Sequence, residues 1–181
     1  MLTDSKHSYG WISILLHWIG AAFVIALFII GQQMEDLRGD ARAQIMMWHM
    51  SIGLLAFPVL FGRVFWRAFS GRPVEDKPVT LLDRVATLVM MLLLAAILVA
   101  ILTGPIGQWS GGRPITFFGL FEIASPIGRV EWLHEAMEEV HGFAANAILP
   151  LVALHVLGAF KHLIVDRDGV FMRIVRPEAR G

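Results

Sequence analysis

Four stretches of this chain carry no Asp, Glu, Lys or Arg at all: Trp11–Gln33, Ala43–Gly62, Val85–Gly112 and Val140–Phe160. Each reaches the ~20 apolar residues that a helix needs to cross ~30 Å of hydrocarbon. Inside hydrocarbon a lone segment must satisfy its own backbone polar groups, which an α-helix does. A soluble four-helix bundle would show a polar face on each helix, and these stretches have almost none. The expectation is therefore an all-α integral membrane four-helix bundle forming one domain over 1–181, with spans at about 9–32, 44–69, 83–103 and 134–165.

The chain is neutral, with 15 basic and 15 acidic residues, but the charge is unevenly placed. Eleven Lys and Arg fall at the helix ends that share a side with the termini, and only Arg38, Arg42, Arg113 and Arg129 fall at the other. By the positive-inside rule both termini are expected in the cytoplasm. The outer side holds eight of the acids, among them Glu135, Glu138 and Glu139, and is net negative. Topology accounts for the basic residues, so nothing points to a nucleic-acid partner. The chain has no cysteine, which excludes disulfides, cysteine-held iron–sulfur clusters and covalent c-type haem in it. The first apolar stretch is too long for a signal-peptide core and lacks a small-residue cleavage site, so it is expected to stay.

Between the spans, an outer loop is expected around Glu35, Asp36, Arg38, Asp40 and Arg42. A Pro- and Gly-rich cytoplasmic connection is expected over Ser70–Leu82, and a long outer loop over Gly104–Leu133. In that loop Pro114–Phe121, with Phe117, Phe118 and Phe121, is expected to lie in the interface or cap the bundle. The third span has no histidine and reads as packing support. Pro58 and Pro150 interrupt the second and fourth spans. The tryptophans, including Trp11, Trp48, Trp66, Trp109 and Trp132, sit near expected interfaces as an aromatic belt.

Four histidines lie within these apolar segments: His17, His49, His141 and His155. Ionisable side chains at membrane depth are costly and mark functional sites. His141 and His155 are fourteen residues apart, close to four turns, so both point the same way about 21 Å apart along the axis. Depth sorts the four into two layers, His17 with His155 toward the cytoplasm and His49 with His141 toward the outside. Each layer draws one ring from the fourth helix and one from another, as bis-histidine haem iron in a bundle core requires.

Small residues follow each ring by about one turn: Gly20 and Ala21, Gly53, Ala144 and Ala145, Gly158 and Ala159. They would let a porphyrin lie against the helix, although membrane helices that pack closely also favour small residues. A hydrogen-bonded core histidine, a proton relay or a zinc site is the competing account, the last two weakened because no Asp or Glu lies within the four charge-free stretches. Arg63, fourteen residues after His49, is a candidate partner for a haem propionate or a snorkelling cation. His162 is a candidate contact for a propionate or a quinone, or a plain interface histidine. His134, among Glu131, Glu135, Glu138 and Glu139, reads as a solvated residue at a helix start, and His7 as a surface residue. No residue is singled out as catalytic.

The pieces Ile14-Leu15-Leu16-His17-Trp18, Trp48-His49-Met50-Ser51-Ile52-Gly53, Arg63-Val64-Phe65-Trp66-Arg67, and the run from Leu133-His134 through His141 and His155 to Lys161-His162 resemble the bacterial cytochrome b561 family of small dihaem membrane cytochromes. The resemblance covers nearly the whole chain. It implies two b-type haems, one on His17 and His155 and the other on His49 and His141, and electron exchange with the quinone pool. Superoxide oxidation coupled to quinone reduction is an activity it also implies, although an acidic outer rim repels an anionic donor. The periplasmic donor or acceptor is not identified by the sequence. Two alternatives remain: a haem-bearing anchor subunit of a larger dehydrogenase or hydrogenase, and a haem-free proton or metal transporter.

Overall fold

A computed structural model describes residues 1–5, 8–70 and 80–177. Four long helices account for the apolar stretches: α1 (Trp11–Asp36), α2 (Gly39–Ser70), α3 (Leu81–Ser110) and α4 (Glu131–Phe160). All four are long and apolar enough to cross a membrane. The last runs on into a π-helical turn, Lys161–Asp166, and a short α5 (Val170–Arg173) follows. The expected connection through Gly71, Pro73 and Pro78 lies outside the described residues, as do Lys6, His7 and Arg180.

The helices pack as two close pairs, α1 on α2 and α3 on α4, with a thinner seam between α2 and α3. The centre of the bundle is apolar. Ala56 and Leu60 of α2, Ile97 of α3 and Ile148 of α4 are buried there, and Phe23, Val24 and Leu27 of α1 and Val152 of α4 pack around them. Along α4 this band lies between His141 and His155, so the two histidine levels are separated by packed hydrocarbon side chains. Most large apolar side chains outside this band are exposed, including Ile25, Leu92, Phe143 and Leu157. That is the inverse of a water-soluble protein and suits a lipid surround.

The helices outrun the spans read from hydropathy. α1 continues to Asp36 and α2 begins at Gly39, so the loop expected across Glu35–Arg42 shrinks to Leu37 and Arg38. Hydropathy marks only the part within hydrocarbon; the Gln, Glu, Arg and Ala beyond it are good helix formers that carry the helix into the headgroup region. Arg38 Nη1 donates to the carbonyls of Glu35 and Leu37 at 2.7 Å each, which satisfies acceptors that a helix end leaves open. α3 likewise passes through Gly104 and Pro105 to Ser110. Its start is fixed by a capping box, with Thr80 Oγ1 accepting from the Asp83 N–H and Asp83 Oδ2 accepting from the Thr80 N–H.

The remaining outer segment contains the one departure from an all-helical chain among the described residues. Strands β1 (Ile115–Phe117) and β2 (Phe121–Ile123) pair antiparallel, Ile115 opposite Ile123 and Phe117 opposite Phe121. Their turn has positive φ at Phe118 (47°) and Gly119 (74°). Glycine adopts this region freely, whereas a phenylalanine there is strained and must be held. The Phe118 N–H donates to Ser51 Oγ at 2.8 Å, and its ring meets Trp48 edge-on at 5.2 Å. Ser51 is fully buried and its hydroxyl donates to the Met47 carbonyl at 2.7 Å. The hairpin thus caps the bundle, pinned to the turn of α2 that carries His49.

At the opposite end, the termini are tied to the helices. Trp18 Nε1 donates to the Ile174 carbonyl at 2.8 Å. Trp66 Nε1 donates to Ser13 Oγ at 2.7 Å, and that hydroxyl donates to Asp4 Oδ2 at 2.7 Å. Trp66 and Trp48 therefore make specific contacts, beyond the belt role expected of them, while Trp11 and Trp132 are exposed as a belt requires.

Candidate functional site

Two histidine pairs lie between helices on either side of the apolar band. At the end that carries the termini, His17 of α1 and His155 of α4 have ring centres 6.1 Å apart, with planes inclined at 57°. Toward the hairpin end, His49 of α2 and His141 of α4 stand 6.2 Å apart with planes at 84°. All four rings are half-buried. Two imidazoles sharing one metal ion through bonds of about 2 Å have ring centres roughly 6 Å apart. Both pairs stand at that separation, too wide for a direct hydrogen bond between rings and right for an ion held between them. The donor set fits haem iron: two imidazoles at each level, in an apolar bundle interior, would hold it.

The rings differ in what holds their other side. His141 Nδ1 is 3.0 Å from the Ala100 carbonyl and 3.3 Å from Thr103 Oγ1. The Thr103 hydroxyl donates to the Val99 carbonyl at 2.7 Å, so its oxygen is left to accept and the His141 Nδ1–H donates. Gly104 lets the ring come close: a Cβ there would stand 3.3 Å from His141 Cε1. His49 Nδ1 is buried with no hydrogen-bond partner among the described residues. Gly31 lines the same ring, 3.5 Å from a built Cβ to His49 Cε1. At the other pair, His17 Nδ1 is 3.0 Å from Arg63 Nη2. Among the described residues, no carboxylate lies within ion-pair distance of Arg63.

The small residues one turn beyond the rings divide by role. Gly158 faces open space, as room beside a ring demands. Gly20 is filled from the other side, since a Cβ there would meet Arg63 Cδ at 3.2 Å and Leu60 Cδ2 at 3.3 Å. It makes space for the arginine stem rather than for a flat ligand.

His134 is a correction. Expected to be solvated, it is buried, with Nδ1–H donating to the Gly107 carbonyl at 2.8 Å and Nε2 accepting from Arg113 Nη2 at 3.1 Å. Glu131, Glu135, Glu138 and Glu139 are all exposed, while the His134 ring packs against Gly111, with Glu138 Oε1 3.4 Å from its Nε2. His162 pairs through Nδ1 with Asp168 Oδ2 at 2.9 Å, with Asp166 Oδ2 at 3.4 Å. The π-helical turn brings these groups together beyond the end of α4.

Sequence reasoning missed the part played by α3. It has no histidine, yet Ala100, Thr103 and Gly104 form the wall behind His141. The available signal was a lone threonine followed by glycine at the end of an aliphatic run.

Residues 8–177 match the family model described as prokaryotic cytochrome b561. The chain is 28% identical over 176 residues to cytochrome b561 homolog 2 of Escherichia coli (strain K12), covering 96% of this chain and 94% of that protein. It is also 28% identical over 177 residues to cytochrome b562 of Cereibacter sphaeroides, covering 93% and 96%. With a match that spans nearly its whole length, the chain belongs to the prokaryotic cytochrome b561 family, multi-pass membrane b-type cytochromes of electron transfer.

Proposed function

We propose that this protein is a transmembrane electron conduit holding two b-type haems, one between His17 and His155 and one between His49 and His141. The observation that carries this reading is the pair of ring separations, 6.1 and 6.2 Å, at two levels of one helix. When bound, haem supplies the one-electron chemistry. The chain's residues hold the ligands at two heights and fill the space between with packed hydrocarbon side chains that keep water out. The Ala100 carbonyl and Thr103 orient His141, and such outer partners fix ring orientation and raise ligand basicity. Arg63 is the cation available to a propionate at the level of His17.

The excess of Lys and Arg on the side of the termini orients the protein with both termini in the cytoplasm of a bacterial inner membrane. His17 and His155 then form the inner site. We assign the quinone pool as the inner electron partner. His162, seven residues beyond His155 and backed by Asp168, is the candidate contact for a quinone carbonyl. The outer partner faces a negative surface. Eight acids stand there against four arginines, Arg38, Arg42, Arg113 and Arg129, and with Arg129 paired to Glu131 at 2.7 Å it is Glu135, Glu139 and their neighbours that set the sign. That field disfavours superoxide and favours a neutral or cationic donor.

Purified protein in lipid should show a reduced-minus-oxidised b-type spectrum with two haems per chain, and should reduce or oxidise a soluble quinone analogue without another subunit. A colourless protein after expression with ample haem would overturn the reading. Obligate co-purification with a large subunit, with no quinone reaction in its absence, would make the protein an anchor instead.

A further inference from the structure

Beyond α4 the chain brings together an imidazole and a carboxylate that a regular helix would hold apart. Six residues of α-helix turn through about 600°, which puts residue i+6 on the face away from residue i. Yet Asp168 Oδ2 stands 2.9 Å from His162 Nδ1. The helix widens into the π-helical turn Lys161–Asp166, and the backbone then reverses through Arg167 and Gly169, with φ of 50° and 78°. Glycine takes that region freely. Arg167 is strained there and is held by its Nε, which donates to the Ile164 carbonyl at 3.1 Å. π-helical turns recur at functional sites.

The Asp168 carboxylate is fixed from both sides. Its Oδ1 accepts from the Val170 N–H at 3.1 Å, while Oδ2 faces His162. An ionised carboxylate only accepts, so His162 carries a proton on Nδ1, and Nε2 is the nitrogen left for a ligand. Asp166 is the lesser partner: its Oδ2 lies 3.4 Å from the same nitrogen and is taken by Lys161 Nζ. His162 also borders a cavity of about 180 Å³, lined in addition by Leu163, Phe171 and Met172. Pockets that enclose a whole drug-sized ligand run to roughly 300–1,000 Å³, so this one suits an aromatic head group whose tail stays in lipid.

We infer that Asp168 is a positioning residue for quinone reduction: it holds the His162 Nδ1–H toward itself, so that Nε2 meets a quinone oxygen and passes protons to it. This role rests on the quinone assignment made above and gives that contact a task. A quinone becomes a quinol by taking up two electrons and two protons. The electrons arrive through the haem-bearing bundle. Each proton leaves Nε2 of the protonated His162 for a quinone oxygen. The neutral ring, still donating to Asp168, then regains a proton at Nε2 from cytoplasmic water. Asp168 stays ionised throughout, orienting the ring and stabilising its charged form, as the carboxylate of a Ser-His-Asp triad does.

The test uses the full chain, carrying its haems in lipid nanodiscs, reduced and then mixed with decylubiquinone in stopped flow. Reoxidation is followed in the visible bands. With two haems reduced, one chain holds the two electrons that one quinone needs. In Asp168→Asn the Val170 N–H still claims the side-chain oxygen, which turns the amide NH₂ to His162 and makes Nδ1 accept. The saturating rate should fall on the order of 100-fold, the scale of a lost general acid, with the half-saturating quinone concentration little changed. Two haems per chain in the variant show that the bundle is intact. A readout apart from turnover is the ¹⁵N spectrum of the reduced, histidine-labelled protein at a pH where the ring is neutral. His162, identified by the signal lost in His162→Ala, should be protonated on Nδ1 in the unaltered chain and on Nε2 in Asp168→Asn.

Asp168 loses this role if Asp168→Asn is reoxidised at the unaltered rate while His162→Ala is slowed, or if the whole effect falls on the half-saturating concentration. It loses it too if the unaltered chain carries the neutral His162 proton on Nε2, a result that needs no variant of Asp168 to fold. All three leave the quinone assignment standing. Full-rate reoxidation of His162→Ala would instead remove that assignment, and the role of Asp168 with it.

Discussion

The two histidine pairs share a ring separation and differ in almost everything behind the rings. At the terminal end, His17 leans on a cation, Arg63, and the ring planes are inclined at 57°. At the hairpin end, His141 leans on a backbone carbonyl and the planes are nearly perpendicular at 84°. One accepts a hydrogen bond and the other donates one. A donated bond to a carbonyl pushes electron density toward the metal and favours the oxidised state. A nearby cation favours the reduced state. Under the dihaem reading proposed above, the pairs are alike as ligands and differ as electrostatic environments.

The most drastic break of the comparison is to remove one ring from each level. His141→Ala should leave one haem per chain with the properties of the inner site, and His155→Ala one haem with those of the outer. Haem-to-protein stoichiometry and the low-temperature absorption bands check this. A variant that keeps both haems, or one that loses both while remaining folded, would show that the pairs are not independent sites.

A change of potential comes next. Arg63→Met removes a positive charge from the inner level only. At a separation near 10 Å and an effective dielectric near 20, that interaction is on the order of 1.5 kcal/mol. The inner midpoint should fall by on the order of 50 to 100 mV, while the outer midpoint stays in place. A redox titration resolving two components decides it; equal shifts in both would mean that Arg63 acts through the overall field rather than locally. Without any substitution, the plane angles make a spectroscopic prediction. Near-perpendicular imidazoles leave the iron orbitals closer in energy, so the ferric outer haem should show the larger gmax in electron paramagnetic resonance. Coincident signals would contradict the 57° and 84° difference.

How far the sequence reached follows from what each signal measures. Absence of charge located the four helices, because lipid forbids unpaired backbone, but it stopped at the hydrocarbon edge and so lost the last turn of α1, while Gly104-Pro105 read as the start of a loop although α3 runs through them to Ser110. Heptad spacing placed His141 and His155 on one face, since helix periodicity is local. The hairpin was opaque: its strands are three residues each and its turn carries a phenylalanine where glycine or asparagine would announce positive φ. His134 was misjudged because acids surround it in sequence, whereas its ring is turned against Gly107 and Gly111 at the end of α3, residues distant along the chain. The bonds from Ala100 to His141 and from Arg63 to His17 join residues distant in sequence, and no pattern along one chain reports them.

The finest probe uses single methyl groups. A Cβ at Gly104 would lie 3.3 Å from His141 Cε1, whereas one at Gly31 would lie 3.5 Å from His49 Cε1. The first is tighter than a ring tolerates without moving; the second is ordinary contact. Gly104→Ala gains about 1 kcal/mol of helix propensity against an overpacking cost of roughly 1–3 kcal/mol, so the thermal midpoint should fall only slightly. The outer ring must nonetheless turn or retreat by a few tenths of an ångström, which should shift the outer gmax and leave the inner signal untouched. Gly31→Ala should shift neither. Gly20→Ala should do the reverse of Gly104→Ala, pressing on Arg63 Cδ at 3.2 Å and disturbing only the inner signal. A methyl at Gly104 that altered both signals equally would mean that the apolar band transmits strain between the levels, and the two sites would then have to be treated as one mechanical unit.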